Sequence, residues 1–246
     1  MSDLDLSCII PVYNEAGNIA DVVAEVRAAL EGVVAYEIVF VDDGSDDGTA
    51  GEIDAEATVH DVVRVVRHVT RGGKSRALIN GAKAARGRFM ATMDGDGQDD
   101  PINIVKMWKA LCESGQPEDK LLVCGWRRAR KDSFWRRFVS RIANRVRRWF
   151  LDDDTPDTAC GLKLMNREAF LDLPRFENMH RYFPVLFARR GHRVISVPVI
   201  HRPRNKGVSK YGTLDRLWAG IWDLLGVMWI LKRMRYSEVT EEKDWE

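Results

Sequence analysis

Apolar residues follow two alternating rhythms along this chain. Leu6-Ser7-Cys8-Ile9-Ile10-Pro11-Val12 is a nearly continuous apolar run, and from Asn18 to Leu30 the apolar positions recur at helical spacing. Tyr36 to Val41 is continuous again, and so is Val62 to Val66. A helical stretch from Lys74 to Ala85, opened by Gly72-Gly73, leads to Phe89–Met93, and Ile102 to Glu113 is helical once more. Short unbroken apolar runs are strands buried on both faces, and a period near 3.6 marks helices laid over them. Strand-helix alternation of this kind predicts an α/β fold with a parallel sheet covered on both faces. Ligands in such sheets bind beyond the carboxyl ends of the strands. Three polar turns are thereby predicted on one rim: at Tyr13, at Asp42-Asp43 and at Asp94.

The second half is less regular. Leu121 to Cys124, Leu162 to Met165 and Arg193 to Val199 read as strands. Phe134 to Phe150 reads as a basic helix with interleaved aromatics, and residues 201 to 213 as a polar loop containing glycine. Leu217 to Leu231 is strongly apolar and carries Trp218, Trp222 and Trp229, with Lys232, Arg233 and Arg235 after it. Fifteen residues give about 22 Å of helix, short of the roughly 30 Å hydrocarbon core. Two readings remain: a helix in the membrane interface with its tryptophans at headgroup level, or a helix packed on the core. The chain divides into a domain over 1–213, an amphipathic helix over 214–236 and a charged tail over 237–246.

Composition adds bounds. The chain has 246 residues, 45% of them hydrophobic, enough for a sizeable core. Lys plus Arg total 38 and Asp plus Glu 37, a net charge of +1, so global charge gives no pull toward nucleic acid and none is expected as a partner. The basic residues are clustered, however: Arg127 to Arg148 holds nine Arg and one Lys against the single acid Asp132. Cys8, Cys112, Cys124 and Cys160 are widely spaced without a C-x-x-C, and three of them lie in or beside apolar strand-like runs, as expected of buried thiols in a reducing compartment. The five histidines have no ligand spacing. The first residues carry no basic n-region followed by an apolar secretory stretch.

Asp94-Gly95-Asp96-Gly97-Gln98-Asp99-Asp100-Pro101 carries the most chemistry. Carboxylates crowd a turn just past a buried strand, which is costly unless a cation neutralises them. With only oxygen ligands and no interleaved His or Cys, the cation is Mg²⁺ or Mn²⁺ rather than Zn²⁺. Such ions complete their shell with water and substrate phosphates, so a phosphorylated or nucleotide-linked substrate is expected. The plainer alternative is a solvated acidic turn that caps the helix beginning near Pro101.

Pro11-Val12-Tyr13-Asn14-Glu15, Val41-Asp42-Asp43-Gly44-Ser45-Asp46-Asp47-Gly48-Thr49 and the Asp94 turn, in that order, resemble the family 2 glycosyltransferases of GT-A fold. The likeness is greatest to the polyprenyl-phosphate sugar synthases. Asp94-x-Asp96-x-Gln98-Asp99-x-Pro101, Cys160-Gly161-Leu162-Lys163-Leu164-Met165-Asn166-Arg167 and Arg204-x-x-Gly207-x-Ser209-Lys210-Tyr211 carry that part of the resemblance, which runs from about residue 4 to 235.

The resemblance implies a GT-A sheet, mostly parallel, and an inverting, metal-dependent transfer of a sugar from a UDP- or GDP-linked donor to polyprenyl phosphate. It implies Pro11, Tyr13 and Glu15 around the nucleoside. Asp43, with Asp42 the weaker candidate, would take a base N–H, although turn and N-cap chemistry accounts for both as well. Lys74 would meet the diphosphate, and Asp94, Asp96 and Gln98 would place the metal. Arg127, Arg136 and Ser140 match positions that hold the acceptor phosphate, and Asp157 an acidic position near the acceptor. Arg204 and Lys210 would close over the diphosphate.

A protein of this kind is expected at the cytoplasmic face of the membrane, peripheral or monotopic, with its oligomeric state open. A transferase for a non-lipid hydroxyl acceptor in envelope polysaccharide synthesis is the alternative, and it would need a dedicated base rather than an arginine fork. A non-catalytic adaptor using the basic helix would leave the carboxylate turns unexplained.

Overall fold

The computed structural model describes residues 4–127, 150–202 and 213–235, the side chains of 213–219 and 221 excepted. The basic helix expected from Phe134, most of the polar loop from 201 to 213 and the charged tail lie outside the described residues. Among these, strands β1 (Leu6–Val12), β2 (Tyr36–Asp42), β3 (Val63–Arg67), β4 (Phe89–Thr92), β5 (Leu121–Trp126), β6 (Lys163–Asn166) and β7 (Arg193–Pro198) form one sheet. Their order is β3-β2-β1-β4-β6-β5-β7. The helices are α1 (Ile19–Leu30), α2 (Thr49–Val59), α3 (Lys74–Ala84), α4 (Ile102–Cys112), the short α5 (Arg167–Leu171) and α6 (Phe183–Arg189), and α7 (Thr213–Arg233).

Two-residue alternation sorts the strand side chains between two cores. Cys8, Ile10, Ile38, Phe40, Ala91 and Leu164 face one side, where α1, α2 and α4 pack with Val22, Val26, Ile53, Ile104 and Leu111. Ile9, Val39, Val41, Met90, Leu122 and Met165 face the other, against α3, α5, α6 and α7. Unbroken apolar runs in the sequence follow from this two-sided burial.

The sheet departs from the simplest expectation at β6, which is antiparallel to both β4 and β5. β5 and β7 run parallel to each other. β5 therefore ends on the same rim as β4, the segment 127–162 leaves and returns at that rim, and β6 descends between them. An antiparallel return needs no crossover helix, so strand-helix alternation was blind to it. The consequence for function is spatial. The turns after β1, β2, β4, β5 and β7 and the entry to β6 share one edge. On either side of β1 the chain winds in opposite directions, toward β2-β3 and toward β4, the switch point where such sheets open a crevice.

Helix α7 is 21 residues long, longer than the apolar run alone indicated, but no helix among the described residues is long and apolar enough to cross a membrane. Packing on the core holds for one face of the helix. Leu224, Val227, Met228 and Leu231 pack on the second core, whereas Trp222, Leu225 and Trp229 are exposed by 69%, 50% and 63%.

α3 lies so close to the sheet that a Cβ on Gly81 would sit 2.5 Å from Ile9 Cγ2 and 2.9 Å from Val41 Cγ2. Alanine is the better helix former, yet neither β-branched neighbour has room to yield. Gly81→Ala is expected to lower unfolding free energy by about 1–3 kcal/mol, read from the denaturant midpoint at constant slope.

Candidate active site

The turns after β1 and β2 are zipped together. Asn14, at φ 55°, donates its N–H to Ser45 Oγ (3.0 Å) and its side-chain amide to Asp46 Oδ1 (2.6 Å), and its Oδ1 accepts from Asp46 N (3.1 Å). Glu15 N donates to Thr49 Oγ1 at 2.9 Å, and the Glu15 carboxylate accepts from Asn18 at 3.0 Å. Asp42 accepts from Ser45 N at 2.9 Å, the turn role open to it from the sequence. Tyr13 lies under the guanidinium of Arg71, 4.3 Å from the ring centroid. Pro11, Tyr13 and Glu15 thus lie at the end of β1 and in the turn after it, and Arg71 reaches Tyr13 from another loop.

Asp43 is committed more deeply than a base-reading carboxylate needs. It is 4% exposed and accepts from Gly72 N (2.7 Å), Gly73 N (2.8 Å) and His68 Nδ1 (2.7 Å). Asn80 contacts His68 Nε2 at 2.9 Å. Three of about four lone-pair directions on this carboxylate are filled from within the protein, and its first task is to hold the 68–73 loop and the entry to α3. His68 was invisible to a search for ligand spacing, because its role is to orient a carboxylate.

β4 delivers Asp94 to the rim, where Lys74 at the start of α3 forms an ion pair with its Oδ1. Burial alone would raise the Asp94 carboxyl, but the Lys74 ammonium outweighs it and holds the group below the ordinary carboxylate range. Lys74, assigned from the sequence to the diphosphate, thus sits on the carboxylate that the diphosphate's cation would use. A Cβ on Gly161 would come within 2.8 Å of Asp94 Oδ2, so glycine there leaves the carboxylate its space.

Asp96 Oδ1 accepts from Gln98 N at 3.1 Å. The side-chain amide of Gln98 donates to Arg202 O at 3.2 Å, and Arg202 N to Gln98 O at 2.8 Å. Buried Asp99 meets His201 Nδ1 at 3.2 Å. The Asp94 turn is therefore sewn to His201 and Arg202 after β7, just ahead of the segment containing Arg204 and Lys210. No cluster of three or more His, Cys, Asp or Glu among the described residues is gathered as a closed metal cage. Two carboxylates and an amide oxygen fit a hard cation that takes its remaining ligands from water and substrate phosphates, and they do not fit a closed Zn²⁺ site.

Beyond β5, Arg127 and Asp157 form a two-pronged pair, Nε to Oδ2 at 2.7 Å and Nη2 to Oδ1 at 3.0 Å. Their side chains are only 12% and 7% exposed. Burial works against the Arg127 charge, and Asp157 more than offsets it, holding the guanidinium above its ordinary range. The sequence placed both near the acceptor, and the structure adds that one positions the other. Arg136, Ser140, Arg204 and Lys210 lie outside the described residues.

A cavity of about 900 Å³ opens beside Asp94, lined by the start of α3, by Ala159–Gly161 and Lys163, and by the segment from Arg175 to Phe183. Lys163 and His180 on its wall were missed. The available signal was a lysine in β6 between Leu162 and Leu164, at a strand position where the neighbours' alternation demands burial.

The glycosyl transferase family 2 model matches residues 7–173. The chain belongs to that family. It is 35% identical over 242 residues to a dodecaprenyl-phosphate galacturonate synthase of Rhizobium johnstonii, covering 94% of this chain and 69% of the relative. It is 29% identical over 213 residues to an undecaprenyl-phosphate 4-deoxy-4-formamido-L-arabinose transferase of Shewanella sediminis, covering 85% and 62%. The chain thus spans about two thirds of the length of these relatives. Among solved structures, glucosyl-3-phosphoglycerate synthase from Mycobacterium tuberculosis, in complex with Mn²⁺, UDP-glucose and glycerol 3-phosphate, superposes with a TM-score of 0.67 at 20% identity over 95% of this chain and 82% of that one. The GT-A expectation stands on that shared fold.

If Asp43 is chiefly the anchor of the 68–73 loop, Asp43→Asn faces an N–H donor with an amide N–H. The expected cost is about 1–3 kcal/mol of unfolding free energy without any nucleotide present, measured by chemical denaturation of the ligand-free protein.

Proposed function

We propose that the protein transfers a sugar from a nucleotide sugar to a polyprenyl phosphate, with inversion at the anomeric carbon. The observation that carries this reading is the gathering on one rim of a carboxylate turn suited to a hard cation (Asp94, Asp96) and a buried, oriented guanidinium (Arg127). Two relatives named for polyprenyl-phosphate sugar transfer support it. Their names differ in the sugar, so family membership leaves the sugar open.

In this reading Pro11, Tyr13 and Glu15 border the nucleoside, and Asp43 supports that pocket through the 68–73 loop. Asp94, Asp96 and Gln98 would hold Mg²⁺ or Mn²⁺, which would supply positive charge opposite the departing nucleoside diphosphate. Lys74 stands beside Asp94 to add its charge to the diphosphate.

Arg127, fixed by Asp157, presents its remaining N–H groups to the acceptor phosphate, together with Arg136 and Ser140. An oxygen of that phosphate forms the bond to C1 as the bond from C1 to the diphosphate oxygen breaks. A phosphate dianion is a competent nucleophile, so positioning matters more than a base. Asp157 is engaged by Arg127, which disfavours the hydroxyl-acceptor alternative, where that carboxylate would be the base. Arg204 and Lys210 would close over the diphosphate, following His201 and Arg202, which Asp99 and Gln98 hold.

The lipid acceptor is met at a membrane surface by the exposed Trp222, Leu225 and Trp229 of α7, with Lys232 and Arg233 in its last turn.

Two measurements test the reading. With labelled donors, Mn²⁺ and a short-chain polyprenyl phosphate, transfer is expected to stop with EDTA and to fall about 100-fold or more in Asp96→Ala; full activity in either case refutes the metal role. Co-sedimentation with phosphatidylglycerol vesicles is expected for the wild type and to be lost in a Trp222→Ser, Trp229→Ser double variant that keeps its thermal midpoint.

A further inference from the structure

Four consecutive residues after β7 are each fastened by a different part of the chain. Val199 N donates to Trp126 O at 2.9 Å. Ile200 exchanges two hydrogen bonds with the side chain of Asn103, a fully buried residue of α4. Its N–H donates to Asn103 Oδ1 at 3.0 Å and its carbonyl accepts from Asn103 Nδ2 at 2.8 Å. His201 forms an isolated antiparallel bridge with Asp99, and Arg202 closes the series on Gln98. The Asn103 amide thus stands in for a strand edge and docks this segment on α4, right up to the Asp94 turn.

The last fastening bears on the cation. Arg202 meets Gln98 twice: its N–H donates to Gln98 O at 2.8 Å, and its carbonyl accepts from Gln98 Nε2 at 3.2 Å. A carbonyl only accepts, so the amide nitrogen faces Arg202 and Oε1, the atom a hard cation takes, turns the other way. The turn is ill suited to hold that arrangement by itself. It carries two glycines, Gly95 and Gly97, the latter at φ 72°. Bonds within it include Gln98 N to Asp96 Oδ1 at 3.1 Å and a long contact of Asp94 N with Asp99 Oδ2 at 3.5 Å.

Arg202 is itself held by its side chain. Its Nη1 donates to both oxygens of Glu25 on α1, at 2.7 and 2.9 Å, and its Nη2 lies 2.8 Å from Asp100 Oδ2. Glu25 is 177 residues away in the chain and outside every motif read from the sequence. The two side chains are 37% and 41% exposed, and an ion pair so exposed adds little to folding stability. What it fixes is geometry. A planar guanidinium spanning two carboxylates leaves the Arg202 backbone, and with it the Gln98 amide, one position.

We propose that Arg202, clamped between Glu25 of α1 and Asp100, is a positioning residue for the cation site and sets the direction of the Gln98 amide. This rests on Asp94, Asp96 and Gln98 being the cation's ligands, as in the proposed function.

Mn²⁺ binding to the full chain with UDP or GDP saturating, read from the electron paramagnetic resonance of free Mn²⁺, is the test. Nucleotide affinity in EDTA and the thermal midpoint are measured alongside. The Mn²⁺ Kd is expected to rise about tenfold in Arg202→Gln and by a smaller factor in Glu25→Gln. Nucleotide affinity in EDTA is expected to stay within about twofold and the midpoint within about 4 °C. The double variant is expected to match Arg202→Gln, because Glu25 acts through that residue alone. Glu25→Gln changes a half-exposed helix position and keeps the test open if Arg202→Gln does not fold. An Mn²⁺ Kd unchanged in both variants overturns the inference and leaves the cation reading standing. Equal losses of Mn²⁺ affinity and of metal-free nucleotide affinity make the clamp general scaffolding and also overturn it. Additive losses in the double variant detach Glu25 from Arg202 and overturn the clamp. Wild-type protein that binds no Mn²⁺ with either nucleotide overturns the cation reading itself, and this inference with it.

Discussion

Negative charge brought to one rim of a parallel sheet is the constraint on which the rest of the structure depends. Asp42, Asp43, Asp94, Asp96, Asp99 and Asp157 all lie where strands end or begin, and four of them are buried. Each such carboxylate needs donors, because desolvated charge without them would cost more than the surrounding packing returns. The chain answers each differently. Ser45 N meets Asp42, and the Gly72 and Gly73 amides with His68 meet Asp43. Lys74 meets Asp94, His201 meets Asp99 and Arg127 meets Asp157.

These answers also build the site. Loops that would otherwise move independently are tied across the rim: the 68–73 loop to β2 through Asp43, the chain after β7 to the Asp94 turn through Gln98 and Asp99, and the end of β5 to the entry of β6 through Arg127 and Asp157. Satisfying a buried carboxylate and positioning a catalytic group are here one act, as expected where reacting groups must be preorganised. Lys163 is the exception: among the described residues its ammonium meets two backbone carbonyls and a ring face and forms no ion pair.

Much of this was legible in the order of residues. Strands buried on both faces leave unbroken apolar runs, so β1 to β4 were found within a residue or two, as were α1, α3 and α4, whereas α2, with only Thr49 and Ile53 buried, gave no helical period to bound it. The Asp94 turn, with carboxylates and no interleaved His or Cys, carried its ligand chemistry in its composition alone. Other features were hidden for definite reasons. β6 runs antiparallel because the chain returns from the rim, and return direction leaves no periodicity. His68 has no motif, since its partner Asp43 is 25 residues away. The short α5 and α6 owe their burial to the second core and lack the length for a helical period to declare itself.

The sequence by itself determined the layered fold, the rim on which chemistry is placed and the kind of cation that rim can hold, because burial pattern and ligand type are properties of residues read in order. Only the tertiary structure decided which charges meet: that Lys74 sits on Asp94, that Asp157 is spent on Arg127, that one face of α7 is covered while Trp222 and Trp229 stay bare, and that the Lys163 ammonium is enclosed among backbone carbonyls. Pairing energies depend on distance and desolvation, and neither exists until strands far apart in the chain are brought side by side.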